Sequence, residues 1–254
     1  MKASGLTRGA RERLAAVDAV LERTYGTPEA DLGNKSDALD EAIYIILSFQ
    51  TDLARFSVTW SRLRNAYPTW EKVERAASSD IAAVLREGGL HQQKARTIQS
   101  LLATVRRSAG ELSLRKVAQM SDEEAERFLT RLPGLSWKAA RCILLYSLRR
   151  DSFPIDGNTF RILKRIGVLS RRVVYRRRTL HDALQAAVPA PRRRALHVNL
   201  VVHGQRICLP RAPQCSPCPL QTFCPRIGVR VERTKNKSGH FENTGKGAYE
   251  SRAR

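Results

Sequence analysis

Four of the five cysteines of this 254-residue chain lie close together, at positions 208, 215, 218 and 224. Disulfides explain them poorly, because nothing in the sequence indicates secretion and a chain of this length buries a core without cross-links. Four thiolates hold either a tetrahedral Zn²⁺ or a [4Fe–4S] cluster. The spacing C-x6-C-x2-C-x5-C lacks the paired C-x2-C knuckles of common zinc sites. It therefore favours a [4Fe–4S] cluster held by Cys208, Cys215, Cys218 and Cys224, with Zn²⁺ as the alternative.

A cluster with four cysteine ligands has no open coordination position, so its expected role is structural. It would fix a loop that is too short to have its own core. Arg206 and Arg211 flank the ligands and would be held rigidly, which suits contact with phosphate. Each of them is equally well explained as solvated surface charge.

A lysine and an aspartate, eighteen residues apart, stand at two predicted loop-to-helix junctions. Residues 132–140 read LPGLSWKAA, a turn that leads directly into a helix and contains Lys138. Backbone N–H groups at such a junction form an anion site, so a phosphate can bind there. Asp156 follows a second loop and is expected at or near the N-cap of the next helix. Taken singly, Lys138 is explained as a surface lysine and Asp156 as a cap.

The charge of the chain points to a nucleic-acid partner. Forty-five Lys and Arg residues against 24 Asp and Glu residues give a net charge of +21 and a pI near 10.7. Arginine forks suit phosphate oxygens, although an Arg-rich solvated surface is the alternative. The longest apolar run, residues 42–49, is far short of the roughly 20 residues of a membrane span. We expect no membrane partner.

Helical spacing recurs along the chain, and period-2 alternation does not. Apolar residues repeat every three or four positions in three stretches: Leu14, Val17, Leu21; Leu39, Ile43, Ile46, Leu47; and Ile98, Leu101, Leu102, Val105. Ser121 to Glu124 reads as a capping box. The sequence predicts an all-α protein of about ten helices. Residues 227–254 are polar and basic and are predicted to form a disordered tail.

The cysteine spacing, the LPGxxxKxA motif and the aspartate eighteen residues later occur together in one known family. From about Leu39 to Cys224 the chain resembles the helix-hairpin-helix DNA glycosylases with a C-terminal iron–sulfur loop, such as endonuclease III. The resemblance implies a two-lobed all-α fold. A six-helix barrel lobe would span residues 34–149, and a second helical lobe with the cluster loop would combine residues 1–33 and 150–226.

The resemblance also implies a reaction. Lys138 would attack C1′ of an extruded nucleotide, displace the base and leave a Schiff base, and β-elimination would then nick the strand. Asp156 would stabilise positive charge on the sugar and assist proton transfers. Because an ordinary lysine is protonated at neutral pH, we expect the site to lower the pKa of Lys138.

The implied function is that of a bifunctional DNA glycosylase and AP lyase in base excision repair, acting on oxidised or damaged pyrimidines. Its partner would be duplex DNA with a damaged base or an abasic site, bound by a monomer. We expect it in the cytoplasm at the nucleoid of a bacterium, or in the nucleus or an organelle of a eukaryote. The alternatives are a glycosylase for a mismatched or other modified base, a non-catalytic DNA-binding module of the same fold, and a zinc-stabilised nucleic-acid adaptor.

Five further positions match DNA-contacting residues of the family. Gln50 would enter the gap left by the flipped nucleotide, and Leu90 would press into the opposite strand. Their alternatives are a polar residue at a helix end and a core leucine. His91 stands where the family often has tyrosine. Gly134 and Ser136 belong to the hairpin turn, where Ser136 replaces a usual glycine and places a Cβ where backbone normally approaches phosphate.

One further departure concerns the residues after the catalytic aspartate. Gly157-Asn158 follows Asp156, as in the adenine-specific mismatch glycosylases, whereas endonuclease III more typically has Thr-His there. Those adenine-specific enzymes generally lack the lysine. The mixed signature leaves the base preference open.

Overall fold

The computed structural model describes residues 5–26 and 32–229, and the described chain is helical throughout, with no strand. Most of the predicted basic tail, residues 230–254, lies outside these residues. The all-α prediction is confirmed, and none of the described helices is long and apolar enough to span a membrane. The α-helices are α1 Arg8–Tyr25, α2 Ala38–Ser48, α3 Leu53–Ala66, α4 Trp70–Arg75, α5 Ser78–Val84, α6 His91–Ala109, α7 Asp122–Arg131, α8 Trp137–Tyr146, α9 Gly157–Arg165, α10 Arg178–Ala187 and α11 Arg193–Arg206.

Two hydrophobic cores organise the helices. The first core joins α2 to α8 and contains buried residues between Ala38 and Tyr146. The second core joins α1 to α9, α10 and α11 and ends at Leu220, inside the cysteine loop. Within the described residues, α1 and the helices α9 to α11 thus form one core, and the helices between them form the other. The lobe boundaries at residues 34 and 150 stay a prediction.

The hairpin between α7 and α8 belongs to the first core. Ser121 caps α7 in the predicted capping box, with its side chain accepting from Glu124 N–H and Glu124 bonding back to the cap. The turn between the helices needs glycine at position 134, where φ is 81°. A Cβ there would lie 2.5 Å from Cγ2 of Thr97. This close packing fixes the turn against α6 and sets where α8 begins.

A buried arginine connects the hairpin to the helices of the second core. Arg141 of α8 donates through Nε to Glu126 of α7 at 2.8 Å and through Nη2 to Asp182 of α10. The side chains of Arg141 and Glu126 are only 2% and 6% exposed. Removing one partner of such a pair leaves the other charge buried and uncompensated. Arg141 therefore helps to hold α10 against the hairpin.

Replacing Arg141 by methionine is expected to destabilise the fold by about 3–5 kcal/mol, because Glu126 would remain buried without its cation. Urea denaturation followed by circular dichroism measures this. The matched control is Arg127→Met in α7, whose side chain is 51% exposed and 4.0 Å from Glu123. It should cost at most about 1 kcal/mol. Equal effects of the two substitutions would show that the buried pair contributes nothing special.

Candidate active site

The hairpin and the start of α9 face each other across a cavity of about 1020 Å³. Lys138 and Asp156 both line it, one from each core. Gln50, Leu90, Gly134 and Ser136 line it as well. The structure therefore brings six of the residues singled out from the sequence to one cavity, which is large enough for an extruded nucleotide.

Asp156 is the N-cap of α9, as capping preference predicts. Its Oδ1 accepts from Thr159 N–H at 2.7 Å, and its Oδ2 accepts from the Asn158 amide at 2.8 Å. Burial raises the pKa of Asp156, but His197, the Thr159 N–H and Lys138 lower it by more, so the net pKa lies below its ordinary value. The group is therefore a carboxylate at neutral pH, with both oxygens held in place.

Lys138 lies in the first turn of α8, one residue after Trp137, and is half-buried. Burial lowers its pKa, but the neighbouring Cys142 and Asp156 raise it by more, and the net pKa is above its ordinary value. The expectation of a lowered pKa is therefore wrong for the free protein. Cys142, one turn further along α8, is the stronger of these two influences, and Asp156 at the start of α9 adds to it, so Lys138 rests as an ammonium.

Ser136 does not strain the hairpin. Its φ of −99° is ordinary extended backbone, and its Oγ accepts from Ala139 N–H at 3.4 Å as the N-cap of α8. The glycine that the family usually has there is replaced by a good capping residue. The neighbouring Gly134 keeps the one conformation in this turn that needs glycine.

Gln50 and Leu90, which we call the wedge residues, stand on two neighbouring loops at the cavity. Gln50 follows α2 with φ of 51°, and Leu90 precedes α6 with φ of 49°. Both side chains are exposed, and Leu90 is not a core residue, with 44% of its surface accessible. The core alternative for Leu90 is thereby excluded. A large apolar side chain exposed beside a cavity is the form that a stack-filling wedge takes.

Three other predicted DNA-contacting residues lie outside this cavity. His91 lines a smaller neighbouring cavity of about 330 Å³ together with Arg86 and Arg96. Arg206 is the exposed last residue of α11, and Arg211 is exposed in the loop between the first two cysteines of the run. These positions place positive charge beside the cavity or on the cysteine loop, where it can contact only a ligand that extends beyond the cavity.

The cysteine run packs against the second core. Among the described residues no group of three or more His, Cys, Asp or Glu side chains is arranged to hold a metal ion. N–H groups do reach three of the four sulfurs: Arg165 Nη1 lies 3.2 Å from Cys208 Sγ, and backbone N–H groups of Leu220 and Arg226 bond to Cys218 and Cys224, although burial raises the pKa of both of these thiols. Such N–H···S bonds are typical of iron–sulfur ligands.

Asn158 joins the Asp156 carboxylate to the cysteine loop. Arg161 Nη2 donates to Asn158 Oδ1 at 2.9 Å and to the Cys208 carbonyl at 2.8 Å, while Asn158 donates to Asp156. A Cβ on Gly204 would lie 2.6 Å from Asn158 Cβ, so glycine at 204 makes room for this side chain. Asn158, which is part of the Gly157-Asn158 departure from endonuclease III, is therefore hydrogen-bonded and closely packed in the site.

Sequence reasoning missed three residues around the site. Tyr175 lines the cavity and donates from its hydroxyl to the Ile155 carbonyl at 2.7 Å. His197 is buried beside Asp156, and burial lowers its pKa to about 4, so it is neutral at pH 7. Lys94 is buried at 3% exposure. Its position in the apolar stripe of α6, four residues before Ile98, was the available signal; Tyr175 and His197 carried none.

These features define a helix-hairpin-helix protein with a lysine and a carboxylate in one interlobe cavity. Residues 43–185, more than half of the chain, match the model of the HhH-GPD superfamily of base excision DNA repair proteins, and the chain belongs to that family. The endonuclease III-like resemblance seen in the sequence is confirmed.

Individual relatives are distant. An Arabidopsis thaliana protein assigned by its name to the DNA glycosylases is 27% identical over 84% of this chain and 76% of its own length. Endonuclease III of Thermotoga maritima is 24% identical over 75% of this chain and 84% of its own length. Among solved structures, an endonuclease III bound non-covalently to DNA superposes with a TM-score of 0.73 at 20% identity, covering 85% of this chain and 95% of that chain. This last match shows the shared fold.

Proposed function

We propose that the protein is a bifunctional DNA glycosylase and AP lyase that removes a damaged pyrimidine from duplex DNA and nicks the strand. The observation that carries the proposal is the shared cavity of Lys138 and Asp156, an amine and a carboxylate held by separate cores. An amine nucleophile forms an imine with C1′ after the base leaves, and the imine makes β-elimination accessible without alkali. A carboxylate alone supports base removal without nicking.

The charges of Lys138 and Asp156 in the free protein determine which proton transfer must precede attack on the sugar. Lys138 rests as an ammonium, so it must lose a proton before its lone pair attacks C1′. Asp156 is the carboxylate in the same cavity and is the acceptor that we propose. Asp156 then passes this proton to the departing base, so it is again a carboxylate when positive charge develops on the sugar. Tyr175 stays protonated, because burial raises its pKa to about 12.

The charge of the protein and the shape of the cavity support DNA as the partner. The net charge of +21 favours a polyanion, and the exposed wedge residues border the cavity. Wedge residues help to pay the unstacking cost of taking a nucleotide out of the duplex. Trp137 and Tyr175 offer aromatic surfaces to the extruded base within the cavity. The preference for damaged pyrimidines rests on the resemblance to endonuclease III.

We also propose that Cys208, Cys215, Cys218 and Cys224 hold a [4Fe–4S] cluster. N–H donors reach three of the four sulfurs, as they do around cysteines that ligate iron–sulfur clusters. When bound, the cluster supplies rigidity to residues 208–224. Arg165 contributes to the same end, because it also donates to the carbonyls of Leu209 and Pro210.

Strand nicking measured with and without alkali tests the proposed function. Duplexes that each carry one defined lesion, with thymine glycol as the oxidised-pyrimidine probe, are incubated with the holoprotein. We expect a nick without alkali treatment. A glycosylase without lyase activity would leave an abasic site, and the strand would be cleaved there only after alkali treatment. DNA binding without either product would favour the non-catalytic module.

A further inference from the structure

One buried cation holds both wedge loops. Lys94 Nζ donates to the Leu47 carbonyl at 2.8 Å, to Thr51 Oγ1 at 2.6 Å and to the Gly88 carbonyl at 2.7 Å. Leu47 and Thr51 flank Gln50 along the chain, and Gly88 precedes Leu90 by two residues. We call this arrangement, Lys94 with its three acceptors, the lysine clasp. It connects the end of α2 to the loop that enters α6.

The clasp uses all the donors of an ammonium group. Burial lowers the pKa of Lys94 to about 8, so the group is still charged at pH 7 and has three N–H bonds to give. No carboxylate among the described residues pairs with it in an ion pair. A buried charge without a counter-ion is costly, so its three oxygen partners must compensate for the lost hydration. Packing alone would be served by an uncharged side chain such as methionine.

Both wedge residues have backbone conformations that need support. Their φ values near 50° lie in the left-handed region, which costs a residue with a Cβ about 1 kcal/mol or more. Thr51 Oγ1 also donates to the Gly88 carbonyl at 2.5 Å, and Lys94 N–H donates to the Leu90 carbonyl at 2.9 Å. The loop is packed closely as well, since a Cβ on Gly88 would lie 2.8 Å from Thr59 Oγ1. These contacts hold each strained residue from both sides.

We propose that Lys94 is a positioning residue that presets Gln50 and Leu90 together for entry into the DNA stack. The inference rests on the proposed function, because it takes the wedge residues to act during extrusion. Preset wedges lower the ordering cost of binding distorted DNA. Loss of the clasp should therefore impair extrusion of a paired base more than chemistry at a sugar that has already lost its base.

The test compares Lys94→Met with the exposed-lysine control Lys116→Met in the full-length holoprotein. A duplex with 2-aminopurine opposite a tetrahydrofuran abasic analogue reports unstacking of the opposite strand by its rise in fluorescence at saturating protein. In Lys94→Met we expect the rise to be largely lost and thymine glycol excision to fall about tenfold or more. Nicking of a preformed abasic site should stay within about threefold of wild type. The control should match wild type in all three measurements.

Thr51→Val is the second variant, because it removes one acceptor of the clasp without removing the buried charge. It should show the same pattern with a smaller loss. An unchanged fluorescence rise with unchanged excision in Lys94→Met would overturn the proposal, as would a parallel loss of all three signals in both variants, which marks a merely structural role. If the wild type neither excises nor nicks, the proposed function is wrong. The fluorescence comparison of wild type with Lys94→Met still tests whether the clasp positions the wedge residues.

Discussion

Asp156→Asn is expected to bind lesion-containing duplex as well as the wild type and to lose base excision by about 10²–10⁴-fold, the range of a lost general acid–base group. Asparagine keeps the shape of the side chain and can still accept from Thr159 N–H, so α9 keeps its cap. What disappears is the negative charge that faces Lys138 and the developing charge on the sugar. Single-turnover excision rates and a binding titration separate the two effects.

The matched control for this substitution is Asp37→Asn. Asp37 is the N-cap of α2, where its Oδ1 accepts from Leu39 and Asp40 N–H groups, and it does not line the cavity. Because asparagine and aspartate are similar N-caps, this variant should excise like the wild type. Full excision by Asp156→Asn would remove Asp156 from the mechanism. Equal losses in both variants would show that capping, and not charge at the cavity, matters.

Lys138→Ala is expected to lose nicking of a preformed abasic site by on the order of 10³-fold or more, as removal of a nucleophile does. An abasic substrate isolates this step, since no base has to be extruded or displaced. The control Lys72→Ala removes one exposed lysine and the same charge, so it should nick at the wild-type rate. The rates are measured under single-turnover conditions at several salt concentrations, because loss of a phosphate contact alone would shift only binding.

Nicking that persists in Lys138→Ala would contradict the assignment of the nucleophile. The substitution is also informative about the partner residue. Without the ammonium, Asp156 loses one of the groups that lower its pKa. A Lys138→Ala protein that still removes bases but leaves them unnicked would mark Asp156 as sufficient for base removal, and it would assign to Lys138 the lyase step alone.

The parts of the site that the sequence predicted are those that depend only on residues close together along the chain. A turn followed by a helix places Lys138 within a few residues, and a capping rule places Asp156 at the start of α9. The helical repeat in α6 and the capping box of α7 are likewise properties of short segments. For such features, neighbouring residues carry the whole physical argument.

The parts that sequence did not predict depend on groups far apart along the chain. The pKa of Lys138 was predicted in the wrong direction, because both Cys142, one turn along α8, and Asp156, at the start of α9, raise it. The lysine clasp joins Lys94 to Leu47, and the buried pair joins Arg141 to Asp182, each across more than 40 residues. Only the packing of the helices brings these groups together, and a single sequence does not show how its helices pack.

Borohydride trapping on abasic DNA, followed by peptide mapping, tests the central claim most directly. The wild-type holoprotein is incubated with a duplex that carries one abasic site, and borohydride reduces any imine to a stable bond. The account predicts a covalent protein–DNA complex whose DNA-bearing peptide contains Lys138, and no complex with Lys138→Ala. Absence of any trapped complex despite DNA binding, or a complex joined through another amine of the chain, would contradict it.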